Sequence, residues 1–383
     1  MQGYDLKLLI PAALTATYLN AGTLGPTPST ALAAAAASEL EWVESGPGLH
    51  THYVNAKESV RGFARRVEER MPGGVVSLTE NNSESILRVL WGLPWQPGDE
   101  VITTDHEHGA VVLALSSIMR RFDLKVKVAR VESPEIGFME QIRSMLGPRT
   151  RLVVMSHVSY LTGWSLPVAE VAELVHDWPA CRLLVDGAQA LGNIVVNPNA
   201  LGADYYVFCG HKWMMAPAGW AGLWIRCDRK NETATRWPLE SYQMSVLDLE
   251  KGPFPDYSAG GEDLEFGTRC WPRVVGWSIT WDYFEEEGFD SHAQYQRDLA
   301  QEARSRINQV KGLTVQDPFH DTYGSTSLMT VTSRQLGSGL AEWLLERGVV
   351  TKPQPARHGV RISWASFNTE DDVDHLMDAA QGL

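Results

Sequence analysis

Short apolar runs alternating with helical stretches constrain this 383-residue chain more than any other feature. The runs fall at residues 75–78, 100–103, 125–129, 152–155, 181–185, 205–208 and 222–225. Helical patterning fills residues 83–91, 109–121, 135–146 and 168–176 between most of them. Continuous apolar runs of this length read as strands buried on both faces. Strand–helix alternation predicts an α/β fold with a mainly parallel, doubly wound sheet. The last two runs follow each other without a full helix, so one strand is expected to run antiparallel. Ligands of such sheets bind in the crevice at the carboxyl ends of the strands.

The flanks have a different texture. An irregular apolar arm runs to about residue 17, and helices are expected over 29–44 and 56–70. Sequence beyond Arg226 is polar and rich in Pro and Gly to about residue 261. A long helical region follows over 272–310, broken at Gly288. The tail reads as strands at 313–316, 327–332 and 359–363 with helices at 336–347 and 370–380, a small α+β domain. The expected division is a large domain over 15–260 and a small domain over 261–383 joined by residues 1–14.

A net charge of −14 disfavours non-specific binding to nucleic acid or anionic lipid. No apolar run approaches a membrane span, and no amino-terminal segment has the pattern of an export signal. Cys181, Cys209, Cys227 and Cys270 show no CxxC pair and no disulfide-like spacing. The expectation is a cytoplasmic protein with reduced thiols, no metal, no nucleic acid and no membrane partner.

Two strand ends carry the chemistry. The run 181–185 delivers Asp186 at its carboxyl end, followed by Gly187-Ala188-Gln189. The run 205–208 leads through Cys209-Gly210-His211 to Lys212. Lysine usually lies on the surface, and an isolated aspartate after a strand is often a cap or turn residue. Together they suit one cofactor: a lysine amine can form a Schiff base with an aldehyde, and a carboxylate can hold a pyridine nitrogen protonated.

The ordered motifs resemble the fold-type-I pyridoxal-phosphate enzymes of the class V aminotransferase and cysteine desulfurase group. They are most similar to cysteine/cystine C–S lyases and the C–S lyase of ergothioneine biosynthesis. The resemblance runs from Tyr18-Leu19-Asn20 to Val360-Arg361-Ile362-Ser363. It implies a seven-stranded, mainly parallel large domain, a small carboxyl-terminal domain and pyridoxal 5'-phosphate. Lys212 would hold the cofactor and move the Cα proton, Asp186 would pair with the ring nitrogen, and His108 would stack on the ring. Ala188 would lie against the other ring face and Gln189 by the phenolic oxygen. Asn82, Ser83 and His211 would hold the phosphate, together with Thr268 from a partner subunit, so a homodimer with shared sites is expected. Helix capping is a compatible role for Asn82 and Ser83; for His108 the rival readings are a cap or half of a metal site with His106. Cys209 replaces a phosphate-binding Ser or Thr, and Ser159 and Tyr160 replace the desulfurase pattern near the phenolic oxygen and substrate. Arg361 would grip the amino acid's carboxylate, with Asn20, Tyr160 and Tyr257 nearby.

The resemblance leaves the outcome open among pyridoxal-phosphate reactions. Desulfurases carry a nucleophilic cysteine on a small-domain loop, whereas residues 317–327 and 352–359 contain none. The expected activity is therefore β-elimination from a cysteine S-conjugate, cysteine or cystine. Relatives in lincosamide antibiotic assembly instead decarboxylate and oxidatively deaminate such conjugates. Transamination and a non-catalytic role are the remaining alternatives.

Overall fold

The computed structural model describes residues 3–46, 50–230, 232, 265 and 269–383, with the backbone alone for 50–53. Its centre is a mixed sheet of β1 (Gly74–Thr79), β2 (Glu100–Thr104), β3 (Lys125–Ala129), β4 (Thr150–Ser156), β5 (Arg182–Asp186), β6 (Tyr205–Cys209) and β7 (Ala221–Arg226). Their order is β1-β7-β6-β5-β4-β2-β3, with β7 antiparallel to both neighbours and the other pairs parallel. The short return from β6 to β7 forces that reversal, because a parallel crossover needs an intervening helix or long loop.

Alternate residues of the central strands enter separate cores. Leu152, Val154, Leu184 and Val207 pack with helices α3 (Asn82–Gly92) and α4 (Gly109–Phe122). Val153, Met155, Val185 and Phe208 face the opposite core. That core also takes Phe63 of α2 (His50–Arg70) and Trp277 and Trp281 of α7 (Pro272–Glu287). Helix α1 (Ser29–Ser45) packs along α7. The remaining helices on this sheet are α5 (Phe138–Met145) and α6 (Val168–His176).

Past Gly288 (φ 88°), α8 (Phe289–Ile307) leads to an antiparallel sheet of β8 (Leu313–Val315), β9 (Leu328–Ser333), β10 (Lys352–Gln354) and β11 (Gly359–Ser363). Its order is β8-β9-β11-β10, covered by α9 (Leu340–Leu345) and α10 (Glu370–Ala380). Lys352–Gln354 was not anticipated as a strand; Pro353 is tolerated because β10 lies at the sheet edge.

The cores draw on distant parts of the chain. Trp271, Trp277, Phe284 and Phe289 share one core with Leu6, Ile10 and Ala13, and with Leu328 and Phe367 from the carboxyl-terminal part. Leu19 belongs to the small core, and Thr17–Tyr18 pairs in parallel with Val349–Val350. The aromatic face of α7 finds its partners on α1 and α2, which local pattern could not reveal. Helix α2 also begins at His50, earlier than residue 56; the side chains of His50 and His52 lie outside the described residues. Among the described residues, no helix is long and apolar enough to cross a membrane, and no cluster of ligating side chains could hold a metal.

Candidate active site

The carboxyl ends of β1, β2, β4, β5 and β6 open on one cavity of about 360 Å³. Asp186 ends β5, with its carboxylate fixed from two sides. Asn82 Nδ2 donates to Asp186 Oδ1 at 3.1 Å, and Ala188 N donates to the same oxygen at 2.9 Å. The acid is nearly buried, so its charge acts on whatever occupies the cavity floor. Lys212 lines the same cavity from the loop after β6, together with Cys209 and His211.

That loop is pressed into place by the amino-terminal segment. Gly25 N donates to His211 O at 2.8 Å, and a Cβ on Gly25 would stand 1.9 Å from Lys212 O. Met215 sits at φ 55°, a left-handed conformation uncommon for a non-glycine residue. Gln189 lines the cavity while its amide is engaged: Nε2 donates to Gly22 O at 2.7 Å and Oε1 accepts from Trp213 Nε1 at 2.9 Å.

Two helix amino termini line the cavity. Asn81 caps α3 by accepting from Glu84 N at 2.9 Å, so the amides of Asn82 and Ser83 lie ahead of the first intrahelical bond, Ser85 N to Asn81 O. Such a terminus favours an anion. His108 caps α4, its Nδ1 accepting from Ala110 N at 3.1 Å. Burial, then the Lys212 charge, lowers the His108 pKa, favouring a neutral ring that carries its proton on Nε2. Tyr160 meets that ring edge-on, with centroids 5.2 Å apart.

Arg361 of β11 forms the far wall. Its NH1 donates to Tyr160 O at 3.2 Å and its NH2 to Thr23 Oγ1 at 2.6 Å. Among the described residues it has no carboxylate partner, and burial lowers its pKa to about 10. Three atoms of the cavity-lining residues are buried without a hydrogen-bond partner among the described residues: Asn82 Oδ1, His211 Nδ1 and Arg361 Nε. Burial also brings the His211 ring to about 4, leaving it neutral at physiological pH. An acid, an amine, two helix termini and unspent donors fit a polar, anionic ring compound such as pyridoxal phosphate.

The structure therefore brings Asn82, Ser83, His108, Tyr160, Asp186, Ala188, Gln189, Cys209, His211, Lys212 and Arg361 to one cavity. Ser159 is not on its lining. Its Oγ bonds His106 Nδ1 at 2.9 Å and accepts from Leu161 N and Thr162 N. Asn20 is also off the lining, bridging Ser363 through its backbone beside the second core. Tyr257 and Thr268 lie outside the described residues. Gly22, Thr23, Ser156, Lys352 and Gln354 line the cavity without having been singled out. Lys352 faces Arg361 directly across the β10–β11 pairing, a juxtaposition that exists only once the edge strand is recognised.

Residues 41–376 match the family described as Aminotransferase class-V. A probable cysteine desulfurase of Mycolicibacterium paratuberculosis is 30% identical over 305 residues, covering 76% of this chain and 43% of that protein. The chain thus spans less than half the length of that relative. A cysteine desulfurase of Escherichia coli O157:H7 is 25% identical over 397 residues, covering 97% of this chain and 94% of the other. Among solved structures, a C-DES mutant with glycine covalently linked to the PLP cofactor superposes with a TM-score of 0.87 at 25% identity, covering 98% and 99% of the two chains. A complex of the cystine C–S lyase C-DES with its reaction product cysteine persulfide gives 0.86 at 26%, covering 97% and 99%.

Proposed function

The chain belongs to the class-V aminotransferase family and uses pyridoxal phosphate, and on that premise we propose that it is a carbon–sulfur β-lyase. Its substrate is a cysteine S-conjugate, cysteine or cystine, and its products are respectively a thiol, hydrogen sulfide or a persulfide, with pyruvate and ammonia.

The observation that carries this reading is the sulfur chemistry of the cavity wall. Of the chain's four cysteines, Cys209 lines the cavity. Burial pushes its thiol up to about 11, so it is protonated at neutral pH and a poor sulfur acceptor. The small-domain stretches 317–327 and 352–359 carry no cysteine. The acceptor cysteine that desulfurases carry on these loops is missing, whereas direct expulsion of a thiolate needs none.

Bound pyridoxal phosphate supplies an electron sink beside the substrate Cα. Asp186 would hold the ring nitrogen, Asn82, Ser83 and His211 the phosphate, and His108 and Ala188 the ring faces. Arg361 offers the substrate carboxylate a planar, charged fork. Lys212 would hold the cofactor and, once its amine is freed by the incoming amino group, would take the Cα proton, a role its flexible stem suits. The Cβ–S bond breaks as a carbon–carbon double bond forms, and the thiolate leaves readily because thiols have pKa values of roughly 8.5. Water converts the released enamine to pyruvate and ammonia. The same reading includes a homodimer in which Thr268 serves the partner's phosphate, and a cytoplasmic setting that keeps the four cysteines reduced.

The test is product analysis on a panel of cysteine S-conjugates, with and without oxygen. Thiol, pyruvate and ammonia in matched amounts, without oxygen uptake, are expected. Carbon dioxide release with oxygen uptake and no pyruvate would replace elimination by oxidative decarboxylation. Amino transfer to a 2-oxo acid would make the enzyme an aminotransferase. A stable dimer is expected in sedimentation; a fully active monomer removes the shared site.

A further inference from the structure

The strand pair that carries Arg361 is tied to the large domain by a cluster outside the cavity lining. β10 and β11 are joined by the turn Pro355–Arg357, closed by His358 at φ 53°. Arg357 NH2 pairs with Glu132 Oε1 and lies 3.1 Å from His106 Nε2. His106 Nε2 also lies 2.9 Å from Glu132 Oε1, while its Nδ1 bonds Ser159 Oγ at 2.9 Å. His106 is 2% exposed. Its fixed ring therefore joins separate pieces of the cavity wall. Ser159 holds the turn bearing Tyr160, the backbone two residues on bears His108, and Glu132 holds the turn between the strands of Lys352 and Arg361.

We infer that His106, Glu132 and Arg357 form a clasp that positions the β10–β11 hairpin, and with it Arg361, against the Tyr160–His108 wall. These are positioning residues, acting on substrate through Arg361. The inference rests on the reading of Arg361 as the carboxylate anchor. An ion pair is suited to the task because a guanidinium and a carboxylate fix direction as well as distance. Half-buried at the edge of the crevice, the pair is screened less than an exposed one. Other cross-domain bonds do not depend on it: Tyr323 Oη donates to Val131 O at 2.9 Å, and Thr326 Oγ1 to Gly163 O at 2.7 Å. Removing the clasp should therefore loosen the hairpin without separating the domains.

The test uses full-length holoenzyme carrying Glu132→Gln, with Arg357→Met as an independent second variant should the first fold poorly. Amide exchange over residues 352–361 reads the clasp itself, and steady-state kinetics read its consequence. Expected are faster exchange in both variants and a KM for the amino acid raised about tenfold, as a displaced binding group gives, with kcat and cofactor affinity within about twofold of wild type. The double variant should be no worse than either single one, because both break one pair. Unchanged exchange overturns the clasp whatever Arg361 does. Faster exchange with an unmoved KM overturns the positioning role. Arg361→Met, assayed alongside, separates the two ideas: an unmoved KM there removes the anchor reading, while the exchange result still judges the clasp.

Discussion

Asn82 Nδ2 stands 3.1 Å from Asp186 Oδ1, so the first turn of the helix after β1 restrains the acid at the end of β5. The two residues are 104 positions apart in the chain. A carboxylate held by a side-chain amide and a backbone amide is fixed in direction, as a partner for a ring nitrogen would have to be.

Asp186→Ala should weaken cofactor binding by at least about tenfold, the loss expected of a hydrogen bond to a charged group. Asp186→Glu should lose less, and Asn82→Ala should fall between wild type and Asp186→Ala. Cofactor titration followed by absorbance measures all three. Equal affinity in wild type and Asp186→Ala would show that the acid has another task.

Arg361→Met removes a charge-assisted fork and should cost about 1.5–3 kcal/mol of substrate binding, roughly tenfold or more in KM. Restoring part of the affinity with Arg361→Lys would fit charge without the planar fork. A substrate amide lacking the carboxylate should bind wild type and Arg361→Met alike. Discrimination retained by the variant would move the anchor elsewhere.

Glu107 is buried behind the cavity-lining Ser156. It accepts from Thr104 Oγ1 at 2.7 Å and from Ser156 N and Oγ at 2.9 and 2.8 Å. Burial pushes its carboxyl up from 4.5 to about 7. Between those values the folded protein keeps a proton that the unfolded chain has released. The stability it contributes is thus complete below 4.5 and is lost as pH rises through about 7. The Tm of Glu107→Gln relative to wild type should therefore climb as pH goes from about 5 to about 8. A constant difference across that range would mean that Glu107 does not titrate there.

Gly25→Ala places a methyl group 1.9 Å from Lys212 O, against backbone that cannot swing aside. Overpacking of this kind costs about 1–3 kcal/mol, and the displaced loop carries Lys212. Urea unfolding should show the loss, with weaker cofactor retention. An alanine variant as stable as wild type would mean that the amino-terminal segment is free to retreat.

The strands, the placement of Asp186 and Lys212 and the helix terminus at Asn82 were legible because each depends on local pattern: apolar runs, a polar residue at a strand end, a cap. Lys352 and Gln354 were not, since an edge strand of Lys-Pro-Gln has neither alternation nor β-branched residues. Gly22 and Thr23 reach the cavity through a bridge from Asn20 to Ser363, a pairing with no local signal. Ser159 shows the opposite limit of a sequence reading. Its hydroxyl is near the expected place in the chain, but His106 and two backbone amides satisfy it first.

Gly22 N donates to Ser363 Oγ across 341 positions of chain, and that bond helps hold together the wall that contains Thr23 and Arg361. On the ribosome, amino-terminal sequence emerges and begins to fold before carboxyl-terminal sequence has been made. Residues 22–25 are thus made early and must wait for β11 before their final neighbours exist. The sheet that presents Asp186 and Lys212 is synthesised in between. The chain therefore acquires the wall of Thr23 and Arg361 late in biosynthesis, and a nascent or carboxyl-truncated chain holds a lysine pocket with one side missing.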